Sequence, residues 1–279
     1  MKKFLALTMA LAMVMSLAAC GNSSSSSAGS PASNSSSASQ SDASSSGDTS
    51  SSGELTTIQE GKLIMSTNAA FPPYEMTDDN GNVVGIDADI AAAIAEKLGL
   101  ELDIIDMDFD SALLAVQQGK SDMVMAGVSV DPEREAVMDF STSYATGVQV
   151  IIVKEGSDVT LDNLGDQLIG TQRGTTGEIY CTDDYGADHV AAYDNGISAV
   201  QALMNDQVDC VVIDQAPALE FVAANPGLTV LETAYANEDY AIGVNKGNTA
   251  LLDAINTALA ELNADGTIQS ILDNYISAD

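Results

Sequence analysis

One of the chain's two arginines lies where an anion would bind. Arg134 falls at about the third position of a predicted helix, because Asp131-Pro132 has the pattern of an N-cap followed by proline in the first turn. A helix N-terminus favours anions, so a cation at that end opposes the helix dipole. The conflict disappears if Arg134, the amides of the preceding loop and the helix end all bind one anion. An ion pair with Glu135, Asp139 or another of the many acidic residues is the alternative.

A second charged group is located by an internal repeat. ALLAVQQGKSDMVMAG, which starts at Ala112, matches AVQALMNDQVDCVVID, which starts at Ala199, and the constant offset pairs Gly127 with Asp214. Ligands of open α/β sheets bind beyond the carboxyl ends of the strands, so Asp214 belongs at the same kind of strand end as the loop 126–129. A carboxylate on Arg134 and an ammonium on Asp214 would together bind a zwitterion such as a free amino acid. A helix N-cap is the alternative for Asp214.

The elements that must position these groups follow an α/β pattern. Apolar runs alternate with helical periodicity, which predicts strands joined by crossover helices. Strands are expected over 62–67, 100–106, 122–128, 168–171, 190–193 and 209–213. Helices are expected over 87–98, 111–118, from 176, over 197–205, 249–263 and 266–276. The order recurs, so the sequence predicts two α/β units.

The first 53 residues have the pattern of an export leader and a tether. Lys2 and Lys3 precede a short apolar stretch, and Leu17-Ala18-Ala19-Cys20 resembles the site where bacterial lipoproteins are cleaved and lipidated at cysteine. A plain secretory signal is the alternative. In 21–53, 18 of 33 residues are serine, too few apolar groups to offset chain entropy. The sequence predicts a signal peptide (1–20), a flexible tether (21–53) and a folded part from about residue 54.

Charge excludes several classes of partner. Without Lys2 and Lys3, seven basic residues face 41 acidic ones, so nucleic acid and anionic membrane surfaces are disfavoured. The single histidine, His189, belongs to no cluster with metal-ligand spacing, and neither a metal nor a cofactor is expected. Export permits a disulfide between Cys181 and Cys210, with a buried thiol as the alternative for Cys210.

Several motifs together resemble one family. The segments NAAFPPYE, VGIDADIAAAIAEKLG, AGVSVDPER, QRGTTGE and VVID occur in the order found in the polar amino-acid-binding proteins of ABC importers, the extracellular solute-binding proteins of family 3. The resemblance covers about 61–276. It implies an α/β, two-lobed periplasmic-binding-protein-like fold with two hinge strands. The expected lobe 1 is 54–146 with 242–279 and the expected lobe 2 is 147–241, with the extended runs 147–153 and 239–244 as hinges.

The resemblance also implies how the ligand's backbone groups are held. Arg134 would bind the α-carboxylate and Asp214 the α-ammonium. Further contacts to these two groups are expected from Ala126, Gly127, Ser129 and Thr176.

Four other positions would surround the ligand side chain. Phe71 and Phe109 would flank it, while Asn68 and Gln172 would lie near its tip. Relatives that bind cationic side chains often have an acid at the position of Asn68. The sequence therefore favours a neutral, glutamine-like side chain first and a cationic one second, and an acidic one least.

The implied function is that of a transport receptor rather than an enzyme. The protein is expected to be a monomer, anchored to the outer face of the cell membrane by lipid on Cys20, that delivers a polar L-amino acid to an ABC permease. A ligand-sensing input module and a dehydratase-like enzyme on the same fold are the alternatives. An enzyme needs an acid or base in the pocket, and Glu178 is the one candidate.

Overall fold

The computed structural model describes residues 55–232 and 234–276. The predicted signal peptide and serine-rich tether, including Cys20, lie outside the described residues. Within the described part of the chain, no helix is both long enough and apolar enough to span a bilayer.

Strands and helices alternate through most of the described chain. The strands are, in chain order, β1 (Lys62–Thr67), β2 (Ala70–Phe71), β3 (Glu75–Thr77), β4 (Val83–Val84), β5 (Glu101–Asp106), β6 (Met123–Val124), β7 (Met138–Phe140), β8 (Ala145–Lys154), β9 (Ile169–Gln172), β10 (Val190–Tyr193), β11 (Cys210–Asp214), β12 (Leu228–Val230), β13 (Ala236–Tyr240) and β14 (Gly243–Asn245). The α-helices are α1 (Ile86–Leu98), α2 (Phe109–Gln117), α3 (Pro132–Val137), α4 (Thr176–Tyr185), α5 (Gly196–Met204), α6 (Gln215–Ala224), α7 (Thr249–Ala264) and α8 (Thr267–Tyr275). Leu161–Asp166 and Ala187–His189 form 3-10 turns.

The first sheet has the strand order β5-β1-β6-β14-β7. Strand β1 is parallel to β5 and β6, and β14 runs antiparallel to both of its neighbours. Nearly every residue of β1 is buried, as its continuous apolar run predicts for a strand covered on both faces. This sheet, with α1, α2, α3, α7 and α8, is called lobe 1 below.

The second sheet has the order β10-β9-β11-β8-β12, with β13 paired to β8. Strands β9, β10 and β11 are parallel, whereas β8 runs antiparallel to β11, β12 and β13. This sheet, with α4, α5 and α6, is called lobe 2. The C-terminal strand β14 and helices α7 and α8 belong to lobe 1, so the chain passes from one sheet to the other twice.

The internal repeat has a structural counterpart in each lobe. Asp122, just before β6, accepts hydrogen bonds from the backbone N–H groups of Ile58 and Ile64, both at 2.8 Å. Its repeat partner Asp209, just before β11, accepts one from Leu168 N–H at 2.8 Å. Each aspartate therefore ties the start of its own strand to the neighbouring parallel strand, and the matching sequences perform matching local tasks.

The chain crosses between the sheets at 141–144 and 241–242. The crossings are bonded to each other: Ser141 N–H donates to Ile242 O at 2.9 Å, and Tyr144 N–H donates to Tyr240 O at 3.0 Å. The extended run expected over 147–153 is the interior of β8 and lies within the second sheet rather than at the crossing. The first crossing begins with Ser141-Thr142-Ser143, so no apolar run marks it in the sequence.

Most of the predicted elements are confirmed, with one clear exception. The strand expected over 122–128 is only β6, two residues long. The chain after Val124 leaves the sheet and becomes a buried loop, whose apolar composition is that of a strand. Burial alone does not distinguish a strand from a loop that is packed between two lobes.

Cys181 and Cys210 do not form the disulfide that the sequence left open. Both residues are free thiols, fully buried in an apolar cluster with Ile169 and Val212. Burial raises the pKa of each thiol to about 12, which keeps both in the unreactive protonated form at neutral pH. The buried-thiol alternative for Cys210 is therefore the one that the structure shows.

Candidate ligand-binding site

A cavity lies between the carboxyl ends of the strands of both lobes. All ten residues that the sequence indicated as ligand contacts line it, namely Asn68, Phe71, Phe109, Ala126, Gly127, Ser129, Arg134, Gln172, Thr176 and Asp214. Five further lining residues were not predicted, namely Glu75, Gln149, Thr175, Ile213 and Tyr240. The structure therefore brings together, in one cavity, side chains that lie up to 172 residues apart in the sequence.

Arg134 is placed by its helix cap, as the sequence predicted. Asp131 is the N-cap of α3, and its side chain accepts the N–H groups of Glu133 and Arg134 at 2.8 and 3.0 Å. The guanidinium of Arg134 donates from Nη1 to Ser129 O at 2.7 Å and from Nη2 to Gly174 O at 3.0 Å. Its Nε lies 3.1 Å from Asp131 Oδ2.

Each terminal nitrogen of the guanidinium thus donates one of its two N–H groups to the protein and has the other left for a ligand. Two N–H groups are what a carboxylate needs for a bidentate interaction. The ring of Phe109 lies 5.4 Å from Cζ of Arg134 and holds the group on one face. Burial lowers the pKa of Arg134, but an arginine remains charged.

The ion-pair alternative for Arg134 is present in the structure, with another of the acidic residues as the partner. Its acidic partner is Asp131, the cap of its own helix, rather than Glu135 or Asp139. Asp139 pairs instead with Lys246 at 2.6 Å. Because the pair with Asp131 uses only Nε, it orients the guanidinium without occupying the two N–H groups left for an anion.

Asp214 is the N-cap of α6 and also lines the cavity. Its Oδ1 caps α6 by accepting Ala216 N–H at 3.1 Å, and its Oδ2 accepts Val148 N–H at 2.9 Å. The same carboxyl group lines the cavity and is 2% exposed. Burial raises the pKa of Asp214 to about 6, against hydrogen bonds from Tyr240 and the two amides that lower it. A bound cation would compensate for this desolvation.

The cavity is closed by direct contacts between the lobes. Gln172 Nε2 in lobe 2 donates to Asn68 Oδ1 in lobe 1 at 3.0 Å, and Arg134 of lobe 1 donates to Gly174 O of lobe 2. The hydroxyls of Ser129 and Thr176 lie 3.5 Å apart across the same boundary. The structure is therefore a closed arrangement in which both lobes contribute to one enclosed site.

Gly127 is required by space as well as by backbone conformation. Its φ of 53° is in the left-handed region, and a Cβ there would lie 2.9 Å from a ring carbon of Phe71. Its N–H donates to Asp87 Oδ2 at 3.0 Å. These contacts hold the loop 126–129 against the cavity. It is the loop that the internal repeat matches with the strand end at Asp214.

Glu75 is the most informative residue that the sequence analysis missed. It is fully buried, it lines the cavity, and neither of its carboxyl oxygens has a hydrogen-bond donor in the structure. Burial, followed by the charge of Asp87, raises the pKa of Glu75 well above its usual value. The acid was visible in the motif NAAFPPYE, but nothing in the sequence showed that its side chain points into the site.

Other buried groups at the cavity also have unused hydrogen-bonding capacity. Gln149 Nε2 donates to Glu238 Oε2 at 2.9 Å, while Gln149 Oε1 and Glu238 Oε1 have no partner among the described residues. Gln172 Oε1 is likewise without a donor. Buried polar atoms are normally paired, so these atoms are available to a polar ligand or to water.

The charges around the cavity are predominantly negative. Arg134 is the cation, and it is already ion-paired with Asp131. Four other carboxyl groups lie at or directly behind the wall: Glu75, Asp87, Asp214 and Glu238. A bound molecule with more positive than negative charge fits this balance better than an anion does.

The remaining candidates lie outside the cavity. Glu178 Oε2 accepts Gly174 N–H at 2.6 Å, so it stabilises the loop before α4 and does not line the site. Arg173 is exposed and donates to Ala192 O at 3.0 Å. Among the described residues, no group of three or more His, Cys, Asp or Glu could hold a metal ion.

Comparison with known proteins places this site in a family. The profile described as bacterial extracellular solute-binding proteins, family 3, matches residues 63–278. ABC transporter arginine-binding protein 1 of Escherichia coli K12 is 32% identical over 219 residues, which are 77% of this chain and 90% of that protein. The L-cystine-binding protein TcyJ of the same strain is 29% identical over 225 residues, 79% and 85% of the two chains.

Solved structures show the same architecture. An ancestral arginine-binding protein bound to glutamine is 39% identical, with a TM-score of 0.75 over 79% of this chain and all of that one. The arginine-binding protein of T. maritima, as a mutant, is 37% identical, with a TM-score of 0.74 over 78% and 96% of the chains. The expected two-lobed α/β periplasmic-binding-protein-like fold is confirmed.

Proposed function

The chain belongs to the bacterial extracellular solute-binding proteins of family 3, and we propose that it captures a polar L-amino acid between its lobes and delivers it to an ABC permease. The observation that carries the proposal is the pair of opposite charges at the two strand ends. Arg134 of lobe 1 has two N–H groups left for a carboxylate, and Asp214 of lobe 2 is a buried carboxylate that lacks a cation. An L-α-amino acid supplies both missing charges.

The side chain of the ligand is proposed to be cationic before neutral. Asn68 alone favoured the opposite order, but its carbonyl oxygen already accepts from Gln172, whereas Glu75 is an unpartnered carboxyl group in the cavity wall. Arginine-binding relatives and an arginine-binding protein crystallised with glutamine show that related sites accept both kinds of side chain. An acidic side chain would meet Glu75 and remains the least favoured.

Titration calorimetry with L-arginine, L-glutamine and L-glutamate on the folded part tests this proposal. The parent should bind the first two and not the third. Arg134→Ala should remove binding, because the ligand carboxylate would be buried without a partner at a cost of about 3–5 kcal/mol. Arg173→Ala is the matched control: it removes the other arginine, which is exposed, and should bind like the parent. Equal affinities for all variants would refute the assignment of the site.

Lipid attachment at Cys20 is proposed from the leader sequence alone. It would hold the protein outside the cell membrane, close to the permease, with the 21–53 segment as spacer. Cys20→Ala should release the protein into the medium or leave the leader uncleaved. Unchanged membrane fractionation and unchanged mass of the variant would contradict lipidation and leave the ligand proposal intact.

No catalytic role is proposed. The family consists of solute-binding proteins. Glu178, the candidate acid or base for an enzyme, lies outside the cavity and accepts a hydrogen bond from the Gly174 N–H. Turnover of a prephenate-like substrate by the purified protein would overturn this.

A further inference from the structure

Two carboxyl groups are packed against each other behind the ligand side chain. The start of α1 is bonded to the chain before Glu75, with Ile86 N–H donating to Pro73 O at 3.1 Å and Asp87 N–H to Tyr74 O at 2.9 Å. This pairing puts the side chains of Glu75 and Asp87 side by side. Both residues are 0% exposed.

The two acids are not equivalent. Asp87 accepts the Gly127 N–H at 3.0 Å and the Tyr144 hydroxyl at 2.8 Å, one on each oxygen, and these bonds stabilise its ionised form. Among the residues that the structure describes, Glu75 has no such donor, and Asp87 is its hydrogen-bonding neighbour. A hydrogen bond between two carboxyl groups needs a proton, and the proton belongs on Glu75.

No positive group balances this pair. The ionisable groups that face Glu75 or Asp87 are all acids or phenols, namely Tyr74 beside Glu75, Asp106 at the end of β5 and Tyr144 at the crossing. Asp214, which faces Tyr74, is also an acid. Within the part of the chain that the structure describes, no lysine or arginine forms an ion pair with either residue. Arg134 binds Asp131 and does not pair with them.

We propose that Glu75 holds a proton in the empty site and exchanges it for the positively charged side chain of the ligand. The inference rests on the proposed amino-acid-binding function and adds its regulation by pH. On binding of arginine, Glu75 loses its proton to the solvent and pairs as a carboxylate with the guanidinium. On binding of glutamine, Glu75 keeps the proton and hydrogen-bonds to the side-chain amide, so no proton is released at this position.

The consequence is a ligand preference that depends on pH. Burial, followed by the charge of Asp87, raises the pKa of Glu75 well above its usual value, so the exchange takes place at a higher pH than the titration of an ordinary glutamate. Affinity for arginine should rise by up to about tenfold per pH unit while Glu75 is protonated in the empty site, and affinity for glutamine should not. The guanidinium of free arginine does not titrate near neutral pH. The α-amino and α-carboxyl groups of the two ligands titrate alike, and Asp214 acts on both, so the arginine-to-glutamine affinity ratio isolates Glu75.

Calorimetry with both ligands between pH 6.5 and 8.5, in buffers of different ionisation enthalpy, measures the ratio and the protons released. The ratio should rise with pH, and arginine should release up to about one proton more than glutamine. In Glu75→Gln, which keeps the shape but cannot ionise, the excess proton and the pH dependence of the ratio should vanish. Far-UV circular dichroism and the thermal midpoint show whether this variant is folded.

Three results overturn the inference while the amino-acid function stands. They are a ratio that does not change with pH, equal proton release for both ligands, and glutamine binding without arginine binding at any pH. A Glu75→Gln variant that keeps the pH-dependent ratio would overturn it too, since the proton would then come from another group. Failure of every amino acid to bind overturns the exchange together with the proposed function.

Discussion

Replacing Arg134 by lysine separates its charge from its geometry. The guanidinium has five N–H groups: one on each terminal nitrogen donates, to Ser129 O and to Gly174 O, and Nε lies 3.1 Å from Asp131 Oδ2 in an ion pair. Lysine has three, on one rotating nitrogen, so it cannot satisfy these acceptors and also bind a carboxylate through two parallel hydrogen bonds. The positive charge stays in the site, and with it the long-range attraction for the ligand carboxylate.

The expected loss is that of a charge-assisted hydrogen bond, about 1.5–3 kcal/mol, or about 10- to 150-fold in dissociation constant. Calorimetry with L-arginine at pH 7.5 measures it, and Arg173→Lys, on the surface, is the control that should bind like the parent. Far-UV circular dichroism and the thermal midpoint show whether the fold is kept. An affinity for Arg134→Lys within threefold of the parent would refute the argument, because it would show that the two free N–H groups do not meet the carboxylate.

Four further outcomes are expected. The ligand ammonium needs an ionised Asp214, whose pKa is raised to about 6 in the empty site. Glutamine should therefore bind about tenfold more weakly at pH 5 than at pH 7.5. The Asp214→Asn variant should bind glutamine poorly at both pH values. The same raised pKa means that the protein without ligand gains stability as pH falls from 6 towards 4 and loses it as pH rises through 6. The thermal midpoint should change in the same direction. Identical pH profiles for the parent and Asp214→Asn would contradict the raised pKa of Asp214. Gly127→Ala should weaken binding at least tenfold in the same calorimetric assay, because its Cβ would contact Phe71 and its φ is left-handed; parental affinity would show that the loop adapts freely. Binding should also close the lobes, and X-ray scattering that is identical with and without saturating ligand would leave that movement unsupported.

The parts of the site that could be predicted depend on local sequence patterns. Arg134 was placed by an N-cap and a proline two residues before it, and the structure has that cap with both of its hydrogen bonds. Asp214 was placed by a repeat whose members form the same strand-start contacts in each lobe. Both signals act over a few residues of chain or a matched pair of elements, so a single sequence contains them.

The parts that could not be predicted depend on packing between distant segments. Glu75 enters the wall because the first turn of α1 bonds back to Pro73 and Tyr74, a contact that leaves no periodicity in the sequence. The position of the crossing, at polar residues rather than within the apolar run of β8, was missed for a similar reason. Buried loops and strands have similar compositions, so the short β6 was predicted five residues too long.

The hydrogen bond from Arg134 to Gly174 joins the lobes without any help from a bound molecule. Together with the bond between Gln172 and Asn68, it favours the shut form of an empty receptor as well as of a loaded one. Apparent affinity scales with the fraction of molecules in the binding-competent form. Each bond that stabilises the closed form before the ligand arrives therefore increases the apparent affinity for the ligand. The same bonds increase the number of shut receptors that carry nothing. A permease that recognised only the closed form would then hydrolyse ATP on receptors without ligand. The strength of these two bonds therefore sets a compromise between high affinity and unproductive ATP hydrolysis.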